Sequence, residues 1–153
     1  MKLRKISGVS LTFSNFPGIK RPEFIDALRW PVDLTQLTAQ NISELHGKYT
    51  QLYAYANQEL SRINVKIIEL ETRERLRRNY LFRVSPSMNS QERWRRDAVL
   101  DSDTKIEEIA MERDKQRMAR VHTEMFVANY EKYLNALSRE LSRKTHESSL
   151  RRL

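Results

Sequence analysis

Cysteine is absent from this chain of 153 residues. That excludes disulfides, thiolate nucleophiles and thiolate metal ligands, and leaves nothing that points to an oxidising compartment. Glycine and proline are scarce, at three and four residues. Pro17, Pro22 and Pro31 sit in the first 31 residues, and Pro86 stands alone. A sheet protein needs many more turn residues than this. No apolar run approaches the ~20 residues that span a bilayer. The opening Met1-Lys2-Leu3-Arg4-Lys5 is basic, but no continuous apolar segment follows it, so no secretory signal is expected. The expectation is a cytoplasmic protein with no membrane partner.

Catalytic templates are missing as well. There is no Gly-rich phosphate loop, no nucleophile elbow and no Cys/His metal spacing. His46, His122 and His146 are scattered and read as surface or seam residues. Asp101-Ser102-Asp103 lacks the Gly and distal Glu of a calcium loop, and reads as a cap for a helix starting near Thr104. We therefore expect no enzyme, no cofactor and no metal.

What remains is charge and helical pattern. Residues 1–31 hold Phe13, Phe16, Phe24 and Trp30 and read as an irregular N-terminal arm, with Ser7–Phe13 the one candidate for a short strand. Such an arm docks either on another subunit or on its own helices. From residue 32 the chain is rich in Glu, Lys, Arg, Leu, Gln, Met and Ala, all good helix formers. Ile42, Tyr49, Ala56, Ile63 and Leu70 recur every seven residues, and Leu45, Leu52, Leu60 and Ile67 fill the same stripe. This predicts a long helix ending near Phe82. Arg83–Ser90 is the break, because Pro86 disfavours helix at Ser85. Ser90 is a candidate cap for a second helix, with Glu92 in its first turn. That helix runs from about Glu92 to about His146, with a possible interruption at residues 101–103. Its seam reads Ile106, Ile109, Met111, Met118, Val121, Met125 and Ala128, then shifts to Val127, Tyr130, Leu134, Leu137 and Leu141.

The fold class expected is all-α: a long antiparallel, coiled-coil-like helical hairpin over residues 32–153, preceded by the arm at 1–31. A hairpin buries only one stripe of each helix, which rarely offsets the ~1–2 kcal/mol per residue of backbone ordering. Tyr53, Tyr55, Ile68, Phe126 and Tyr133 are left over. Self-association covers such positions, so a homo-oligomer is expected.

The net charge is +8, and it is unevenly placed. Arg73, Arg75, Arg77, Arg78, Arg83, Arg93, Arg95 and Arg96 stand against Glu74, Glu92 and Asp97, a net of +5 within residues 73–97. Tyr80, Phe82 and Trp94 are interleaved with them. Guanidinium groups fork onto phosphates and aromatic faces stack on unpaired bases, so this pattern points to single-stranded nucleic acid. The bland alternative is a solvated helix end. No helix-turn-helix or zinc module argues for sequence-specific duplex reading. A second basic group, Arg139, Arg143, Lys144, Arg151 and Arg152, sits at a helix C-terminus, where cations also complement the dipole.

Val32-Asp33 followed by Asn41-Ile42-Ser43-Glu44-Leu45-His46-Gly47-Lys48-Tyr49 resembles the start of the UvsY-like recombination mediators of T-even-type phages and cyanophages. The basic, aromatic segment Arg73–Phe82, the acidic Val99-Leu100-Asp101-Ser102-Asp103 and the amphipathic Tyr130–Leu150 follow in the family's order, so the resemblance covers roughly residues 32–152. Two departures are that Tyr80-Leu81-Phe82 lacks the family's glycine, and that arginine stands where lysine is frequent. The resemblance implies a ring-like homo-oligomer, a hexamer or heptamer. Such a ring binds single-stranded DNA, loosens the single-strand-binding protein and helps load a RecA-like recombinase, in the host cytoplasm if the chain is phage-encoded. It also implies that Arg73 and Arg75 are the paired basic contacts. The rival readings are a coiled-coil scaffolding or assembly protein of a phage and, more weakly, a membrane-surface helix protein.

Overall fold

The computed structural model describes residues 18–89 and 92–150. Among them are three α-helices and no strand: α1 (Ala39–Val84), α2 (Arg93–Asp101) and α3 (Thr104–Leu150), with 3-10 turns at Glu23–Asp26 and Pro86–Asn89. The chain is all-α. No described helix is long and apolar enough to cross a membrane.

Local chemistry sets the helix ends. Thr38 caps α1 by accepting a hydrogen bond from the Asn41 amide at 3.1 Å. At the other end Ser85 is extended (φ −103°, ψ 115°), as a residue before proline prefers. Glu92, rather than Ser90, holds the N-cap position of α2, and its side chain makes no capping bond. The interruption at residues 101–103 is a true break. Asp103 Oδ1 accepts from the Ile106 amide at 3.0 Å, so Asp103 caps α3 as the sequence suggests.

α1 and α3 lie side by side and antiparallel. His46 Nε2 meets Ser138 Oγ at 3.1 Å, Arg117 reaches Glu71 at 3.3 Å, and Arg77 reaches Asp103. Early α1 thus faces late α3. The buried residues of α1 are Ile42, Tyr49, Leu52, Ala56, Ile67, Leu70, Glu74 and Leu81. They follow the seven-residue recurrence, the acid included, since Glu74 stands seven residues after Ile67 and seven before Leu81.

α3 requires a correction. Ile106 and Leu137 are buried, and Ile109, Val127, Tyr130, Leu134 and Leu141 are half-buried. Met111, Met118, Val121 and Met125, placed in the seam by pattern, are more than half exposed. The half-buried positions at this level are Ala110, Glu112, Arg113, Gln116, Ala119 and Thr123. The methionines sit five residues from Arg113 or its heptad equivalents, about 140° around the helix. A polar seam has displaced them to the outer face.

The main core lies at the far end. Ile42, Tyr49, Leu52 and Leu137 are covered by Phe24, Ile25, Leu28, Trp30, Leu34 and Leu37. Trp30 stacks on Tyr133 (centroids 4.2 Å apart) and meets Tyr49 edge-on at 5.6 Å. The described part of the arm therefore packs on its own helices. Phe13, Phe16 and the Ser7–Phe13 segment lie outside the described residues.

Candidate nucleic-acid interface

The arginine-rich segment occupies the end where α1 stops and α3 begins. Leu81, Met88 and Ile106 form a small apolar knot there, with Val99 and Leu100 packed against it. A polar clamp reinforces it. Arg77 forks onto Asp103, with Nε 3.1 Å from both carboxylate oxygens and Nη2 2.5 Å from Oδ2. The same carboxylate caps α3, so one acid joins the two helices across the bend. The Arg77 hydrogen bond holds the Asp103 carboxyl below its ordinary range, with the Ile106 amide and the guanidinium charge assisting against partial burial. In return the Asp103 hydrogen bond raises the Arg77 guanidinium above its ordinary value.

One turn earlier stands the single buried charge among the described residues. Glu74 is 9% exposed and accepts hydrogen bonds from Arg78 Nε and Nη2 at 3.0 and 2.7 Å, and from Arg113 across the helix pair. Burying a carboxylate is tolerated only with such partners. The sequence reading missed Arg113, though a signal was present. It stands seven residues after Ile106 and fourteen before Val127, on the seam of α3.

The eight arginines thus divide. Arg77 and Arg78 are engaged by Asp103 and Glu74 in the body of the fold. On α2, Arg93 pairs with Asp97 at 3.4 Å and Arg95 with Glu92 at 2.7 Å. These are exposed single-helix pairs, weak enough for a polyanion to displace. Arg73, Arg75, Arg83 and Arg96 make no ion pair among the described residues; the first three are exposed and Arg96 is half-buried. The aromatics face solvent: Tyr80 and Phe82 are about half exposed and Trp94 is 64% exposed. Guanidiniums lie over two of these rings, Arg77 over Tyr80 at 5.0 Å and Arg95 over Trp94 at 5.2 Å.

These groups do not share one groove. Arg73 and Arg75 are two residues apart, about 200° around the axis. Arg73 shares a flank with Tyr80 and Arg75 with Phe82, each seven residues on, while Arg83 points outward. The end of α1 is a shaft studded with arginines rather than a walled channel. Such a surface suits a flexible polyanion that wraps it better than a rigid duplex.

Two of the five residues of the second basic group, Arg143 and Lys144, are engaged in structure. Arg143 bridges Glu140 and Glu147, whose hydrogen bonds and charges push its guanidinium well above its ordinary range. Lys144 donates to the Thr35 carbonyl at 2.8 Å, tying the segment just before α1 to α3. Arg139 is exposed, and Arg151 and Arg152 lie outside the described residues. His122 and His146 are exposed, and no group of three or more potential metal-ligating side chains occurs among the described residues. No protein-family model, no curated protein and no solved structure matches this chain.

Proposed function

We propose that this chain is a non-enzymatic, single-stranded DNA-binding recombination mediator. In this reading it acts as a homo-oligomer, a coiled-coil-like hairpin repeated around a hexameric or heptameric ring. It helps a RecA-like recombinase displace single-strand-binding protein from DNA. One observation carries the DNA part: Arg73, Arg75, Arg83 and Arg96, free of acid partners among the described residues, lie at the same end of the molecule as exposed Tyr80, Phe82 and Trp94. Guanidiniums neutralise phosphates while aromatic faces take bases, which favours single strands over duplex. The mediator role rests on the resemblance of residues 32–152 to the UvsY-like family. A ring supports it physically, because repeating one modest site multiplies its grip by avidity.

The test is binding of a labelled oligonucleotide, single-stranded against duplex, at two salt concentrations. Preference for the single strand is expected, with affinity falling steeply as salt rises and a slope near 0.7 per phosphate neutralised. Substituting Arg73, Arg75, Arg83 and Arg96 together by alanine should flatten that slope, whereas the Arg143→Ala variant should not. Equal affinity for single strand and duplex, or an unchanged slope in the fourfold variant, refutes the site.

The rival is a scaffolding or assembly protein. The outward Met111, Met118 and Met125 favour it, because a surface built for protein contact needs no nucleic acid.

A further inference from the structure

Two apolar stripes remain uncovered, one on the outer face of each long helix. On α1, Val65, Ile68 and Leu76 are exposed, Ile68 at 62%. With Glu69, Thr72 and Arg73, the first two line a shallow groove. On α3, Met111, Met118 and Met125 recur every seven residues with Val121 beside them, Met118 at 68% exposure. Val65 and Thr72 are about 180° from the seam of α1, and the methionines about 140° from the seam of α3. The stripes therefore face away from each other, on opposite sides of the molecule.

They also stand at one level. Glu74 opposite Arg113 and Glu71 opposite Arg117 fix the register of the pair. Counting along both helices from these contacts places Leu76 level with Met111, Ile68 level with Met118 and Val121, and Val65 near Met125. Each stripe covers about 17–21 Å of helix. A single foreign partner needs only one apolar face. Two faces of similar length, at the same height and on opposite sides, are what head-to-tail packing of identical subunits requires.

The level of the stripes is also where the intramolecular seam is polar, with Glu74, Arg113, Gln116 and Thr123 facing inward. Ile67 and Leu70 are buried at this level, but the Glu74–Arg113 pair interrupts the apolar seam beside them, and a covered outer face adds apolar burial there.

We propose that a second copy of this chain covers each stripe: the outer face of α1, Val65–Ile68–Leu76, packs on the outer face of α3, Met111–Met118–Met125, of the next subunit. The contact is heterologous, so it closes into a ring or extends. It deepens the homo-oligomer part of the reading above by naming the faces that meet, and it does not depend on the DNA part.

The absence of native cysteine makes the test clean. The full-length double variant Ile68→Cys with Met118→Cys should, on mild oxidation, give a ladder of covalent dimers, trimers and higher species in multiples of 18.2 kDa. Neither single variant should cross-link. The Met111→Glu, Met118→Glu double variant should scatter light as a single chain while keeping its helical circular dichroism. Three outcomes would falsify the proposal: a wild-type protein that is monomeric at tens of micromolar, a Met118→Cys variant that alone gives dimers and nothing larger, or a double-cysteine variant that stays uncross-linked while wild type is oligomeric. Oligonucleotide binding measured on the same samples separates this result from the DNA reading. Loss of assembly with retained, weaker binding of a short single strand leaves that reading standing and confirms the interface. Assembly without binding removes the DNA reading alone.

Discussion

The two ends of the α1–α3 pair are held together by different physics. At the terminal end, Ile42, Tyr49, Leu52 and Leu137 are sealed by Trp30 and its neighbours from the arm. Toward the bend, past Ile67 and Leu70, the seam passes through the buried Glu74–Arg113 pair, with the exposed Glu71–Arg117 pair beside it and Leu81, Met88 and Ile106 as a knot beyond. Apolar burial is non-directional and supplies free energy in proportion to area. Buried ion pairs contribute little net energy, because desolvation opposes attraction, but they penalise a slipped register. The terminal end therefore supplies stability, and the bend end supplies alignment. The arginines proposed for DNA sit on the less stable end, where local opening costs least.

Leu137→Ala should have the largest effect. Leu137 is fully buried at the centre of the terminal core, and truncation there should cost about 2–5 kcal/mol in chemical denaturation. An equal loss from Leu81→Ala would break the comparison, since the knot at the bend would then matter as much. Glu74→Ala comes next. It leaves Arg113 and Arg78 without their shared acid, and should cost about 1–3 kcal/mol. The double change Glu74→Leu with Arg113→Leu sharpens the contrast. If the pair gives register rather than energy, the double variant should regain most of the loss.

How much of this was legible in sequence follows the same divide. α1 was readable because Ile42, Tyr49, Ala56, Ile63 and Leu70 keep a seven-residue beat, all of them buried except the half-buried Ile63. The breaks at Pro86 and Asp103 were readable because each has a local cause, a proline and a capping carboxylate. The middle of α3 misled, because hydrophobicity alone assigns Met111, Met118 and Met125 inward. The spacing of Arg113 from Ile106 and Val127 puts it on the seam, but no local pattern reveals that its partner is Glu74, 39 positions away. The arginine cluster was visible as composition. Which members are held by an acid depends on Asp103 and Glu74, so the division of Arg77 and Arg78 from Arg73, Arg75, Arg83 and Arg96 needed coordinates.

The smallest predicted effect tests the bend end alone. Asp103 is held below its ordinary value of 3.8, chiefly by the Arg77 hydrogen bond. A carboxylate with a depressed folded-state pKa stabilises the fold above its unfolded value, and that contribution is lost as pH falls through the depressed one. The clamp is thus complete at neutral pH and fails only in acid. Asp103→Asn keeps an oxygen for the Ile106 amide but removes the charge facing Arg77. At pH 7 the variant should melt a few degrees below wild type. Between pH 5 and 2 its melting temperature should fall less steeply, so that the two curves converge once Asp103 is protonated. Glu140 and Asp33 at the terminal end are also held below their ordinary values, by Arg143 and Thr35, but wild type and variant share them, so the difference between the two curves reports Asp103, and hydrogen exchange should show the added opening at residues 100–107 and leave Tyr49 and Leu137 protected. Curves that stay parallel down to pH 2 would mean the clamp contributes geometry without charge. A rise in exchange at Leu137 would mean the two ends are one cooperative unit rather than two.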